Sequence, residues 1–371
     1  MLVSFVGGWG HAEPLLGLVR LARGRAHHVV VAGQAAVLPR LAALGLETVE
    51  VGPATLSTHR RPLAPVDRAM ERAVVRDHFV AEFGHHRAAR LGAVIDARRP
   101  DLVVCDEMDA GAVIAAERAG VPCITVGVLA AGRLTAADVI GPAWDRLRAD
   151  AGLPHDLDGH RFAGDVRLDP TPSSFRDPAS GLPPQLRHVR PPILDELASR
   201  PSGGARPLVY ATLGTVFDVE SGDLFSRLVD ALTLLDGDCL LTIGSNVQRH
   251  ELPAAPSRVR VEPFVAQADV LGSCSAVVCH GGSGTLMAAL SVGVPVVVLP
   301  MGADQPDNAD RCADLGVGIV LDATTALPRD IAAAVTTVSR DDSYRRAAAL
   351  LAAEAAGQPD VAHVDAVVDL L

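Results

Sequence analysis

The chain contains no lysine, so all 33 of its basic residues are arginine. Together with the abundance of alanine this points to a GC-rich coding genome and carries no chemistry of its own. Against 44 acidic residues the arginines leave a formal net charge of −11. No basic patch exists to release counterions, which excludes a general nucleic-acid or anionic-membrane surface. Long apolar runs are missing as well. No stretch reaches the ~18 apolar residues of a membrane span, and no basic segment precedes the strand-like Leu2 to Val6. A soluble, cytoplasmic protein without membrane insertion is expected. The six cysteines include no C-x-x-C pair and lie in or beside apolar strand-like runs, so they are read as reduced, buried small hydrophobes. Neither His27-His28 nor His85-His86 has the spacing of a zinc site, and no metal is expected. Aromatic residues are scarce, at 3%.

What is present is alternation. With a soft prior of ~150 residues per domain, 371 residues suggest two domains. Leu2 to Val6, His28 to Ala32, Thr48 to Val51, Leu102 to Cys105 and Cys123 to Val126 read as strands. Leu15 to Ala22 and Ala110 to Ala119 read as helices between them. Short apolar strands alternating with helices imply a parallel sheet covered on both faces. The proline-rich stretch from Leu153 to Pro207 breaks the rhythm and reads as a loop region ending in a linker. Strands then resume at Leu208, Cys239, Val259, Ala276, Val296 and Ile319, with a helix from Leu224 to Leu235. Ligands of open α/β sheets bind outside the C-terminal strand ends.

The most informative stretch runs from Val277 to Asn308. A strand leads into His280-Gly281-Gly282-Ser283-Gly284-Thr285, and helix-compatible residues follow at once. Such a turn offers backbone N–H groups and a helix N-terminus to an anion, and its glycines permit close approach of a diphosphate. Gly8-Trp9-Gly10 after the first strand raises a nicotinamide or flavin site. That reading weakens because Glu13 stands where the third glycine belongs and Gln34 where an acid should follow the second strand.

Three segments together, Gly10-His11-Ala12-Glu13-Pro14, Phe264-Val265-Ala266-Gln267 and the block from His280 to Asn308, resemble the UDP-glycosyltransferase superfamily. The nearest resemblance is to antibiotic and natural-product glycosyltransferases of actinomycetes. It implies the α/β GT-B fold, two Rossmann-like domains facing across a cleft, over nearly the whole chain. Residues 1–190 would bind the acceptor, 191–206 would link, 207–356 would bind the nucleotide-sugar, and 357–371 would return as a helix to the first domain. The resemblance places Phe264 against the nucleobase, with Val265 beside it and Gln267 near base and ribose. It gives His280 the diphosphate, together with Gly282, Ser283, Gly284 and Thr285, and makes Gly214-Thr215 a second phosphate contact. Asp304 and Gln305 match the pair that holds sugar hydroxyls, with Asn308 one turn on, although Asp304 could instead cap the helix that follows. Plant members carry a glutamate for the ribose hydroxyls where Ala288 stands, which favours a dTDP-sugar over a UDP-sugar as co-substrate.

His11 follows the first strand in a glycine-bordered turn, imidazole as a group titrates near neutral pH, and the resemblance makes this residue the general base. Its orienting carboxylate is Asp106, with Asp109 as the alternative. The implied reaction is a direct displacement with inversion, needing no cofactor beyond the nucleotide-sugar. Trp9, Phe79, Phe83, Met108 and Trp144, with Met70 and Leu129, are candidates for contact with a hydrophobic aglycone, although for any one of them ordinary core packing is the better reading. A nucleotide-sugar 2-epimerase of the same fold and a donor-binding protein without turnover are the rival readings. A homodimer is left open.

Overall fold

A computed structural model of the chain describes residues 1–55, 60–198, 208–214 and 217–371. It divides into two compact units, one of residues 1–56, 69–190 and 358–371, the other of 57–68 and 191–357.

The first unit is built on a seven-stranded sheet. Its strands are β1 (Leu2–Ser4), β2 (Val30–Gly33), β3 (Glu47–Glu50), β4 (Val103–Asp106), β5 (Cys123–Val126), β6 (Val166–Asp169) and β7 (Leu186–His188), in the order β3-β2-β1-β4-β5-β6-β7. Every pairing is parallel. The inner strands are buried throughout, as expected when helices cover both faces. Because β1 pairs with β2 on one side and β4 on the other, the order of connection reverses between β1 and β4. That reversal opens a crevice at the C-terminal ends of these two strands.

The stretch from Leu153 to Pro207 is not the loop its prolines suggest. It supplies β6, β7 and the helix Pro192–Ala198. β6 escapes sequence reading because it reads Val-Arg-Leu-Asp, and charged residues usually exclude a strand from a sheet interior. Here both charges are compensated: Arg167 pairs with Glu107, and Asp169 with Arg176, all four side chains being at most 5% exposed. Residues 358–371 also pack in this unit. Val364 and Val367 enter its core and Asp360 accepts a hydrogen bond from Arg190 at 2.9 Å. Instead of one helix, this tail forms a 3-10 turn (Val361–His363) and a four-residue helix (Asp365–Val368).

The second unit holds β8 (Leu208–Thr212), β9 (Asp238–Thr242), β10 (Val259–Glu262), β11 (Cys274–Cys279), β12 (Val296–Val298) and β13 (Gly318–Val320), in the order β10-β9-β8-β11-β12-β13. These pairings too are parallel, and the reversal falls between β8 and β11. Leu224, Leu228 and Leu232 recur at helical spacing along one face of the helix Leu224–Thr233 and pack in one core with Ile331, Val335 and Val338 of the helix Pro328–Arg340. Within the same unit Arg68 reaches Asp307 at 2.9 Å and Asp310 at 2.8 Å. Among the described residues no helix is long and apolar enough to cross a membrane. All six cysteines are buried free thiols.

Candidate functional site

Each unit places a histidine at its reversal point. In the first, Gly7 follows β1 at φ +112°, a conformation that disfavours a side chain, and a Cβ there would lie 2.6 Å from the His11 ring. The ring therefore seats directly on the backbone. Its Nδ1 stands 3.2 Å from Oδ1 of Asp106, the last residue of β4. The side chain of His11 is 24% exposed, whereas that of Asp106 is fully buried. The backbone N–H groups of Val6 and Met108 donate to Asp106 at 2.7 Å each, fixing its carboxylate plane. Burial pushes the Asp106 carboxyl above its ordinary range, and the adjacent His11 only partly offsets this. Donation from Nδ1–H to Asp106 leaves Nε2 as the proton-accepting nitrogen.

Asp109, the alternative partner, is engaged elsewhere. It caps the helix Ala110–Ala119 through the Ala112 N–H and pairs with Arg87 at 2.6 Å. Gln34, standing where a dinucleotide site would carry an acid, donates to the Gly7 carbonyl and to Thr55 Oγ1 at 3.0 Å. Its role is to hold the turn that bears His11.

In the second unit the imidazole of His280 lies between two glycines. A Cβ on Gly214, at φ +75° after β8, would come within 2.7 Å of the ring, and one on Gly282 within 2.4 Å. The residue is only 8% exposed, and burial pushes its pKa down to about 4. It is therefore neutral at pH 7. The helix Ser283–Leu290 begins immediately after, so Gly282, Ser283, Gly284 and Thr285 present the first-turn N–H groups beside this ring. Thr215 lies outside the described residues.

The acidic-glutamine pair is tied to the same turn. Ser283 Oγ donates to Asp304 Oδ2 at 2.5 Å, and Asn308 Nδ2 donates to Asp304 at 2.8 Å and to the Gly281 carbonyl at 2.8 Å. Asp304 is thus turned toward the glycine-rich turn and does not cap the helix Gln305–Asp314 with its side chain. Gln305 accepts from the Met301 N–H at 2.7 Å, which shapes the bend leading into that helix. Gln267 donates to Thr285 Oγ1 at 2.9 Å, joining the turn to the segment after β10. In that segment Phe264 is 62% exposed and Val265 is half-buried. Ala288 is buried and brings no polar group.

The aromatic candidates of the first unit divide. Trp144 is fully buried, edge-on to Phe162 with ring centroids 5.0 Å apart, and its Nε1 donates to Asp156 at 2.8 Å. Met108 is also core, at 4% exposed. Neither offers a surface to a ligand: Trp144, on the helix Ala137–Asp150, and Met108, in the turn between β4 and the helix Ala110–Ala119, both lie in the core of the first unit. Phe79 and Phe83 are half-buried in an edge-to-face pair at 5.5 Å, on a π-helical stretch (Val74–Phe83). Trp9 lies beneath the Arg40 guanidinium, 3.4 Å from its centroid. Met70 is 64% exposed and Leu129 is buried.

The chain matches known proteins along nearly its full length. Against the L-demethylnoviosyl transferase of Streptomyces niveus the chain is 31% identical over 377 residues, covering 98% of this chain and 96% of that protein. The chain belongs to the GT-B glycosyltransferases of actinomycete antibiotic biosynthesis. Residues 226–370 of this glycosyltransferase match the family described as erythromycin biosynthesis protein CIII-like, C-terminal domain. Its fold is shared with the glycosyltransferase of kitacinnamycin, at a TM-score of 0.76 and 24% identity, covering 100% of this chain and 98% of that one. It is shared equally with the glycosyltransferase VinC solved in complex with dTDP, at a TM-score of 0.73 and 23% identity, covering 100% and 99%.

Sequence reasoning missed the buried charge groups behind these sites. Arg87 sits in the helix Gly84–Arg98 and looks like any surface arginine of an amphipathic helix, yet it is 1% exposed. Glu107, beside Asp106, turns away to accept from the Val128 and Leu129 N–H groups at 2.6 and 2.7 Å. Its burial alone would raise its pKa, but Arg167, Arg176 and those two N–H groups outweigh that and hold it below the usual range. For Glu107 the signal was charge at the end of an apolar run; for Arg87 there was none.

Proposed function

We propose that this glycosyltransferase moves a deoxyhexose from a dTDP-sugar to a hydroxyl of a hydrophobic natural-product aglycone, in one displacement with inversion at the anomeric carbon. The observation that carries the reading is the contact of His11 Nδ1 with the buried Asp106 at 3.2 Å. A carboxylate on Nδ1 fixes the tautomer, directs Nε2 to the acceptor proton and stabilises the imidazolium formed as the oxygen attacks. As the bond to the departing dTDP breaks, charge grows on its diphosphate oxygens. Neutral His280 and the N–H groups of Gly282 to Thr285 are hydrogen-bond donors suited to that charge. An exposed phenylalanine in a chain with few aromatics suits stacking, so Phe264 takes the base, with Val265 beside it and Gln267 toward the ribose. Asp304 and Gln305 hold sugar hydroxyls, and Gly214 and Thr215 a phosphate oxygen.

Ala288 supports the choice of nucleotide, since a buried methyl leaves a ribose 2′-hydroxyl unpartnered, and VinC, of the same fold, is solved with dTDP. Turnover of one sugar presented as its dTDP and UDP derivatives tests this. The dTDP form is expected to be favoured in kcat/KM by about tenfold, the worth of one unpaired hydroxyl. A clear UDP preference would refute it.

A further inference from the structure

Behind the His11–Asp106 pair lies a second buried carboxylate, Asp109, and the charge that balances it. Both aspartate side chains are fully buried. Arg87 donates to Asp109 from Nε at 2.8 Å and from Nη2 at 2.6 Å. It donates as well to the Val51 carbonyl at 2.9 Å and to Ser4 Oγ at 2.8 Å, while Ser4 Oγ itself donates to Asp109 at 2.7 Å. One guanidinium thus joins β1, the end of β3 and the turn between β4 and its helix, the turn that follows Asp106. Gly111 permits the approach, because a Cβ there would meet the Arg87 Cβ at 2.6 Å.

Replacing a buried ion pair by apolar groups is often neutral for stability, so stability alone does not account for this one. Electrostatics does. Without the guanidinium, two buried carboxylates would act on one imidazole, and like charges at that range drive proton uptake. The titratable groups facing the cluster are His11 from the turn after β1, Asp106 and Cys105 from β4, Asp109, Arg87 from the preceding helix, and Cys123 of β5, whose Sγ lies 3.9 Å from that of Cys105. Asp109 pushes the Asp106 carboxyl upward, in addition to the larger effect of burial. Burial opposes the charge of Arg87, but Asp109 and then Asp106 outweigh it and hold it protonated.

We infer that Arg87 is a positioning residue for catalysis: by neutralising Asp109 it leaves Asp106 as the single net carboxylate acting on His11, and so sets the pH range in which His11 accepts a proton. The inference rests on the reading of His11 as base.

The test is the pH profile of kcat/KM in the full-length enzyme. Arg87→Met either protonates the carboxylate pair or raises the basicity of His11; both move the acid limb to higher pH, by about one unit. KM for the donor should stay within about twofold, because the donor residues belong to the other unit. Arg87→Met/Asp109→Asn removes both charges, keeps an acceptor for the Ala112 N–H and should return the limb to its wild-type position. Asp109→Asn alone leaves an unbalanced cation and should move the limb to lower pH, a readout that stands even if Arg87→Met does not fold. A folded Arg87→Met or Asp109→Asn with an unshifted limb overturns the inference. So does a double variant whose limb is not restored. His11→Ala in parallel separates the two claims. If it retains turnover, the base reading falls and takes this one with it; if it is inactive while the limbs do not move, only the role of Arg87 is lost.

Discussion

The two units share the order third-second-first-fourth-fifth-sixth strand, with a seventh strand in the first unit, and each sets a histidine at its reversal, after the first strand in one and the fourth in the other; the two imidazoles are built for different work. His11 is a quarter exposed and leans on a buried carboxylate, whereas His280 is buried between two glycines with its pKa near 4. A reversal in strand order makes a crevice twice; the neighbours of each ring decide its chemistry. A carboxylate on one nitrogen stabilises the imidazolium and makes a base, while burial penalises that cation and makes a neutral hydrogen-bonding group.

Exchanging these roles by mutation is the direct way to break the comparison. The largest effect is expected for His11→Ala, which should lower kcat about 10³-fold, the usual worth of general base catalysis, with dTDP affinity unchanged by calorimetry. Undiminished turnover would show that the two histidines do not differ as described.

The next effect concerns stability. His280 has a folded-state pKa of about 4 against 6.5 in an unfolded chain, so between these values the unfolded state binds more protons and stability falls as the pH falls. The loss should approach about 3 kcal/mol near pH 4 in the unfolding of the second unit. It should be absent in His280→Phe. Equal pH dependence in both proteins would mean that burial does not set the properties of this ring.

The smallest change sharpens the comparison through the glycines. Gly7→Ala presses on His11 and Gly214→Ala on His280, each at a positive φ that strains any side chain. The first should cut kcat about tenfold and leave dTDP binding intact; the second should weaken dTDP binding by a similar factor. A loss of the same parameter in both would merge the two sites into one function.

Much of the frame was legible because apolar strands and punctuating glycines are local signals. The run from Ala276 to Thr285 could be read as strand, anion turn and helix, and β11 and the helix Ser283–Leu290 lie there. The helix Ala110–Ala119 was readable to the residue. β6 was not, since Arg167 is tolerable only because Glu107, 60 residues earlier, neutralises it, and Asp169 only because the turn after the strand brings Arg176 back onto it. Trp144 was ambiguous for a related reason: an aromatic in an insertion suits a pocket or a core equally, and its burial depends on Phe162 and Asp156.

By itself, then, the sequence determined the two-domain α/β plan and the glycine-rich anion turn, because strands, helices and turns are written in local runs, and it offered Asp106, with Asp109 as the alternative, as the acid beside His11. Only the tertiary structure separated the two acids physically. Asp106 ends β4 in register with Val126 and meets His11 across the reversal, while Asp109, three residues on, starts a helix and is taken by Arg87. That choice depends on which strands and helices become neighbours, and buried charges can be assigned to partners only once the sheet has brought them together.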